Sequence, residues 1–216
     1  MSQLKATLFD LDGTLFDTEG QYSQIWEKLG LRYHPEIPDF AVRIKGNTLN
    51  RIMDNYFPDP SIRSQVIEEL YAHEAQMTYR FFPGAVELLG NLRNNGIKVA
   101  VVTSSNRIKM AKVIRKMPDF ESYFDHVFTA EDFAQSKPHP DCYLRAAAFF
   151  GAEPQECMVF EDALSGIRAG MAAGMYTIGI TNTLPREVIE PECSMVLDSL
   201  LNISASSLIA LFPQNR

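Results

Sequence analysis

The sequence predicts an α/β fold in which a parallel β-sheet, covered by helices on both faces, is interrupted after its first strand by an all-helical insert. From residue 85 onward, short apolar runs alternate with segments of helical period, which is typical of strands joined by crossover helices. Between residues 17 and 82, apolar residues recur at helical spacing instead. The 216-residue length suits one such domain with a smaller insert.

The first strand is predicted at 4–9, an apolar run without helical period that ends at Asp10. The segment that follows contains three amphipathic patterns, at 22–29, 49–57 and 62–70, and prolines separate them. We therefore expect an α/β core formed by residues 1–16 and 83–216, and a helical unit formed by residues 17–82.

The rest of the chain alternates helices and strands. We predict helices at 85–95, 110–117, 141–150 and 163–173, strands at 97–102, 127–128, 158–160 and 176–180, and a weaker strand at 195–197. Gly96, Gly151 and Gly174 follow three of these helices, where glycine commonly ends a helix in the left-handed conformation.

Composition narrows the classes of function. The net charge of −7 gives the chain no electrostatic reason to bind nucleic acid or an anionic membrane. Its three cysteines form no close pair, which argues against a disulfide framework and against a thiolate metal site. No secretory pattern is present, and no apolar run approaches the roughly 20 residues that span a bilayer. We expect a cytoplasmic monomer that binds neither nucleic acid nor membrane.

Polar side chains follow the predicted strands where each strand ends. They are Asp10 and Asp12 after the first strand, Thr103 and Ser104 after the second, and Glu161 and Asp162 after the fourth, with Lys137 in the loop before a later helix. In parallel sheets, ligands bind beyond the carboxyl ends of the strands, near the point where the strand order reverses. We therefore expect these side chains to meet at one edge of the sheet.

These residue types suit phosphate chemistry. Carboxylates without His or Cys favour Mg²⁺, which keeps water ligands and bridges to phosphate. Asp10 would attack phosphorus and form an aspartyl phosphate. Asp12 would protonate the leaving oxygen and later deprotonate water, and crowding by Asp10 would raise its pKa for that role. Thr103, the backbone N–H of Ser104 and Lys137 would hold the transferred phosphoryl oxygens.

Each residue also has a simpler structural interpretation. Asp162 and Thr103 could cap the helices that follow them, and Asp10 and Asp12 could be turn residues. Lys137 on its own would be a solvated loop lysine. Acids that close buried strands at separate points of the chain are costly unless they are paired or bind metal, so we favour the functional interpretation of the set.

Four ordered motifs resemble those of the haloacid dehalogenase superfamily, and most of all its beta-phosphoglucomutase-like branch. They are Asp10-Leu11-Asp12-Gly13-Thr14, Thr103-Ser104, Lys137-Pro138 and Glu161-Asp162-Ala163-Leu164-Ser165-Gly166. The resemblance covers nearly the whole chain and implies a Rossmann-like core with a helical cap. It implies Asp10 as nucleophile and Asp12 as acid/base. It also implies Mg²⁺ bound by the Asp10 side chain, the Asp12 backbone carbonyl and Asp162, with Glu161 contacting those ligands.

The insert departs from the mutase at two positions. Tyr22 stands where the mutase has His, and Leu49 stands where it has the Arg that grips the distal phosphate. Arg51 lies two residues along the same predicted helix, on a different face. We therefore favour hydrolysis of the phosphoenzyme over return of the phosphoryl group to a sugar.

The sequence thus predicts a Mg²⁺-dependent phosphatase acting on small phosphorylated metabolites, with sugar phosphates among the candidates. A sugar-phosphate mutase and a non-catalytic binding module on the same fold remain alternatives. The cap residues that we expect to contact substrate are Glu19, Tyr22, Lys45, Gly46, Asn47 and Thr48.

Overall fold

The computed structural model describes residues 3–213 and contains a six-stranded parallel sheet with the order β3-β2-β1-β4-β5-β6. The strands are β1 (Ala6–Phe9), β2 (Lys98–Val102), β3 (His126–Phe128), β4 (Cys157–Glu161), β5 (Tyr176–Ile180) and β6 (Met195–Leu197). β1 pairs with β2 on one side and with β4 on the other. The strand order reverses there, so the ends of β1 and β4 form the expected ligand-binding edge.

The helices follow the predicted alternation. They are α1 (Glu19–Tyr33), α2 (Phe40–Arg43), α3 (Leu49–Tyr56), α4 (Pro60–Gln76), α5 (Ala85–Asn94), α6 (Arg107–Lys116), α7 (Asp141–Phe149), α8 (Leu164–Ala172), α9 (Arg186–Ile189) and α10 (Ala205–Leu211). The sequence did not reveal α2, α9 and α10, because four to seven residues contain too few apolar repeats to show a helical period. Across residues 3–213, no helix has both the length and the apolar character needed to cross a bilayer.

The sheet is buried on both faces, which explains why its strands are continuous apolar runs. Phe9 and Phe160 stack at 4.4 Å between ring centroids and belong to one core cluster. Leu8 and Val159 point to the other face and belong to a second cluster that includes Tyr143 of α7. The predicted α/β fold with a parallel core and an all-helical insert is confirmed.

The helices of the insert have a hydrophobic core of their own, which includes Trp26, Phe40, Phe57 and Leu70. We call residues 17–82 the cap and the remainder of the α/β unit the core domain. The two connections between them run side by side, because Phe16 and Phe81 form an antiparallel bridge. The boundaries expected from sequence, after residue 16 and after residue 82, stay a prediction.

Three hydrogen bonds dock the cap on the core domain near the ends of the strands. The Ser104 hydroxyl donates to the Gly46 carbonyl at 2.8 Å, and the Ser165 hydroxyl donates to the Lys45 carbonyl at 3.0 Å. The Arg51 guanidinium donates to the carbonyl of Lys137 at 2.8 Å. The cap is therefore closed over the edge of the sheet in this conformation.

Gly84, just before α5, is the position where the fold most requires glycine. Its φ is +85°, and an added Cβ would lie 2.5 Å from the Leu200 carbonyl oxygen and 2.6 Å from the Leu201 Cα atom. Both contacts are with backbone, which cannot move aside as a flexible side chain can.

We expect Gly84→Ala to lower the free energy of unfolding by at least about 2 kcal/mol, because the left-handed conformation alone costs an L-residue about 1–2 kcal/mol. Gly90→Ala, in the exposed middle of α5, is the matched control: its Cβ would meet no heavy atom of residues 3–213 within 4 Å. Helix propensity should make this control up to about 1 kcal/mol more stable. Urea denaturation of both variants measures the difference, and equal stability would contradict this view of Gly84.

Candidate active site

A cavity of about 120 Å³ lies between the cap and the strand ends. Most of the predicted site residues line it: Asp10, Asp12, Glu19, Tyr22, Lys45, Gly46, Asn47, Thr103, Ser104, Glu161 and Asp162. Lys137 lies behind Asp10, outside the lining. Thr48 is outside it as well, because its hydroxyl accepts from the Arg51 backbone N–H and caps α3.

Three buried carboxylates meet at the ends of β1 and β4. Asp10, Glu161 and Asp162 each offer an oxygen, and these oxygens lie within 4.8 Å of one another. Burial raises the pKa of Asp10 to about 8, although Lys137 opposes the shift. Burial, followed by the charges of Asp10 and Glu161, raises the pKa of Asp162 well above its usual range. A cation among these oxygens would favour their ionised form.

Small residues and one hydroxyl shape this cluster. Gly13 has a φ of +86°, and a Cβ on it would lie 2.1 Å from Asp162 Oδ2. The Thr14 hydroxyl donates to Asp162 Oδ1 at 2.8 Å, and a Cβ on Gly166 would lie 1.7 Å from Glu161 Oε1. The donor set is oxygen only and anionic, so it fits a hard divalent cation such as Mg²⁺.

Lys137 neutralises two of these acids at once. Its Nζ lies 2.7 Å from Asp10 Oδ1 and 2.6 Å from Glu161 Oε1, and it donates to the Val102 carbonyl at 3.0 Å. The Tyr143 hydroxyl donates to the same Glu161 oxygen at 2.7 Å. Burial alone would lower the pKa of Lys137, but the two carboxylates outweigh it and raise that pKa. The ammonium therefore stays charged at 2% exposure.

Asp12 turns away from this cluster. Its Oδ1 accepts from the Thr18 hydroxyl at 2.6 Å, and its Oδ2 accepts from the Ser105 hydroxyl at 3.0 Å and from the Lys109 ammonium. Burial would raise the pKa of Asp12, but Lys109 and these hydrogen bonds outweigh burial and lower it. The expected rise in the pKa of Asp12 through crowding by Asp10 is therefore wrong, because the nearest strong charge is a cation.

Lys109 is the main residue of the site that the sequence argument missed. It is buried at 4% exposure, and its Nζ lies 4.4 Å from the centroid of the Tyr22 ring. One signal was present: Lys109 precedes Val113 by four residues and therefore shares its buried helix face. A lysine on a buried face needs an anionic partner, and Asp12 is that partner.

The simpler interpretations of Asp162 and Thr103 are excluded in the structure. Ala163, not Asp162, is the N-cap of α8, and that cap has no side-chain hydrogen bond. Asn106 caps α6 by accepting from the Lys109 backbone N–H at 2.9 Å. Thr103 instead accepts from the Ser105 backbone N–H at 3.0 Å and lines the cavity.

The predicted cap residues are held by contacts within the protein. Glu19 and Lys45 form an ion pair of 2.6 Å, and the Asn47 side chain donates to the Ile44 carbonyl at 2.9 Å. Burial raises the pKa of Glu19, although Lys45 opposes the shift. These residues line the cavity, with Glu19 and Lys45 paired and the Asn47 amide nitrogen bonded to the backbone, and their contact with substrate stays a prediction.

Tyr22 begins a second network, which joins the cap to α6. Its hydroxyl donates to Glu74 Oε1 at 3.0 Å, and Lys112 donates to Glu74 Oε2 at 2.8 Å. Lys116, one turn further along α6, donates to the carbonyls of Ala75 and Met77 at the end of α4. One face of α6 therefore fixes both Asp12, through Lys109, and the position of the cap.

Comparison with known proteins identifies the class. The family described as haloacid dehalogenase-like hydrolase matches residues 4–174. The chain therefore belongs to the haloacid dehalogenase-like hydrolases, as the motifs indicated.

Among its relatives, hexitol phosphatase A of Escherichia coli is 31% identical over 94% of this chain and 94% of its own. The chloroplastic protein SUPPRESSOR OF QUENCHING 1 of Arabidopsis thaliana is 30% identical over 96% of this chain, which spans only 21% of that longer protein. The beta-phosphoglucomutase of Clostridium difficile has the same fold, with a TM-score of 0.79, 24% identity and 97% coverage of both chains.

We expect Lys137→Met to lower the free energy of unfolding by about 3–5 kcal/mol at pH 7, because it leaves two buried carboxylates without their counter-charge. The loss should shrink toward pH 5, because burial raises the pKa of Asp10 and its protonation removes an uncompensated buried charge. Lys98→Met is the matched control, since Lys98 forms an exposed ion pair with Asp125 that is worth at most about 1 kcal/mol. Urea denaturation at both pH values measures the effect, and equal losses in the two variants would refute the role assigned to Lys137.

Proposed function

We propose that this protein is a Mg²⁺-dependent phosphatase that hydrolyses small phosphate monoesters through an aspartyl phosphate on Asp10. The observation that carries the proposal is the position of Asp10, which lies in the cavity wall within the acidic cluster and is paired to Lys137 on its far side. The hexitol phosphatase relative supports a phosphoric monoester as substrate.

The roles of this chain's own residues follow from their contacts. Lys137 favours the ionised form of Asp10, and the Asp10 carboxylate attacks phosphorus while the ester oxygen departs. The leaving oxygen takes a proton from Asp12, and in the second half-reaction Asp12 takes a proton from the water that cleaves the aspartyl phosphate. Lys109 favours the ionised form of Asp12, which suits the second half-reaction and opposes the first, and the proton that Asp12 gives to the leaving oxygen is regained from that water. The lining positions of Thr103 and Ser104 suit contact with the phosphoryl oxygens.

The residues that would hold Mg²⁺ are Asp10, Asp162 and the backbone carbonyl of Asp12. Glu161 is held by Lys137 and Tyr143, which fits a supporting position beside these ligands. When bound, Mg²⁺ supplies charge neutralisation between an anionic nucleophile and an anionic ester. We propose that the cap, residues 17–82, closes this site against bulk water during turnover.

We favour hydrolysis over a mutase reaction because of the residues that the cap contributes to the cavity lining. Leu49 lines the cavity where a mutase of this type would need a cation for a second phosphate. Arg51 does not supply that cation, because it is bound to the Lys137 carbonyl and is not part of the lining.

We expect Asp10→Asn to reduce phosphate release from p-nitrophenyl phosphate and glucose 1-phosphate at least about a thousandfold, because the amide cannot form the covalent intermediate. Asp12→Asn should slow phosphoryl transfer to the enzyme far more with glucose 1-phosphate than with p-nitrophenyl phosphate, because nitrophenolate leaves without a proton. Rapid-quench detection of phosphoenzyme separates the two half-reactions. Unchanged turnover in Asp10→Asn would end the proposal, and conversion of glucose 1-phosphate to glucose 6-phosphate without free phosphate would favour the mutase.

Metal binding can be tested without turnover. We expect Mg²⁺ at about one hundred times its Kd to raise the Tm by roughly 5–10 °C over EDTA, and Asp162→Asn to abolish most of this shift. The variant without Mg²⁺ should be no less stable than the native chain, because the raised pKa of Asp162 means that its ionisation opposes folding at pH 7. Asp54→Asn, an exposed acid of the cap, should keep the full shift. If Mg²⁺ raises the Tm of Asp162→Asn as much as that of the native chain, the ion binds at another site.

A further inference from the structure

The cap contributes an apolar wall to the cavity. Its apolar lining residues are Trp26, Ala41, Ile44, Leu49, Ile52 and Leu70. All of them except Leu49 are buried, and all belong to or pack against the hydrophobic core of the cap. Because that core holds them in place, the wall is preformed.

Most of the polar side chains beside this wall already have a partner within the protein, and Glu19 Oε2 has an ion pair with Lys45 but no well-aligned hydrogen bond. The two carboxylates are engaged, Glu19 by Lys45 and Glu74 by both Tyr22 and Lys112. The other groups are bonded within the protein as described above, and Ser23 adds a single hydroxyl to the lining. A polyol in this half of the cavity would have to displace internal bonds to satisfy its own hydroxyls, which costs free energy.

The lysines around the cavity are likewise paired with acidic side chains. Within residues 3–213, each lysine that lines the cavity or contacts its lining is paired with an acid: Lys45 with Glu19, Lys109 with Asp12, Lys112 with Glu74, and Lys137 with Asp10 and Glu161. A second anionic group on the substrate would therefore meet no unpaired lysine there, and Arg51, which donates to the Lys137 carbonyl, lies outside the lining. An uncharged organic group meets no electrostatic penalty there.

We propose that the cap wall is an apolar subsite for the organic group of the substrate, and that the enzyme prefers monophosphates of uncharged, hydrocarbon-rich alcohols over polyol phosphates and bisphosphates. This inference rests on the proposed function, because it takes the acidic cluster as the place where the phosphate binds. Leu49 and Ile52, on consecutive turns of α3, are the specificity-determining residues. Each methylene buried against them favours binding by an increment that a hydroxyl cannot match.

The test compares two six-carbon monophosphates, n-hexyl phosphate and sorbitol 6-phosphate, in the presence of Mg²⁺. We expect kcat/KM for n-hexyl phosphate to be at least about tenfold higher, with most of the difference in KM. Leu49→Asn, which keeps the number and branching of the side-chain heavy atoms but makes them polar, should reduce this preference at least about fivefold. Leu31→Asn is the matched control, because Leu31 is an exposed cap leucine at 76% exposure, and it should leave the preference unchanged.

A binding measurement keeps this inference separate from the catalytic proposal. Isothermal titration of n-hexylphosphonate and methylphosphonate into the Mg²⁺-loaded protein needs no turnover, and n-hexylphosphonate should bind at least about tenfold more tightly. If neither ester nor p-nitrophenyl phosphate is hydrolysed, the phosphatase proposal fails while the titration still tests the subsite. Equal or stronger use of sorbitol 6-phosphate, equal binding of the two phosphonates, or an unchanged preference in both Leu49→Asn and Ile52→Asn would overturn the inference.

Discussion

The rest of this site depends on one interaction, the pairing of the buried Lys137 ammonium with the carboxylates of Asp10 and Glu161. Three carboxylates converge at the ends of β1 and β4, and a buried group of that charge would oppose folding without compensation. Lys137 reaches two of them from the loop that precedes α7 and is held by the Val102 carbonyl of β2. The ammonium thereby joins three strand ends beside the acidic cluster that we propose as the site of the divalent cation.

A second cation organises the other half of the site. Lys109 directs the Asp12 side chain away from the acidic cluster, so the two carboxylates of the first motif lie in different electrostatic environments. Burial dominates at Asp10, where the pKa is raised, and Lys109 dominates at Asp12, where it is lowered. The surroundings of two acids only two residues apart therefore favour different protonation states, and a cation in the acidic cluster would favour the ionised Asp10 that attack on phosphorus requires.

One face of α6 contacts both Asp12, the proposed acid/base, and the cap. Lys109, Lys112 and Lys116 of α6 contact, in order, Asp12, the Glu74 side chain and the backbone at the end of α4. Lys112 and Lys116 engage polar groups of the cap, which also contributes apolar side chains to the cavity wall. The proposed selection of the organic group and the position of Asp12 are thus connected through one element of the core domain.

The sequence by itself determined the α/β architecture, the place of the helical insert and the gathering of Asp10, Asp12 and Asp162 at one edge. These follow from local period and from the rule that parallel strands end at a common edge, so they need no knowledge of packing. Tertiary structure alone decided the partner of each charged group and the character of the cap wall. Lys109 meets Asp12 across 97 residues and Lys137 meets Asp10 across 127, and such pairings are set by how helices and loops pack on the sheet.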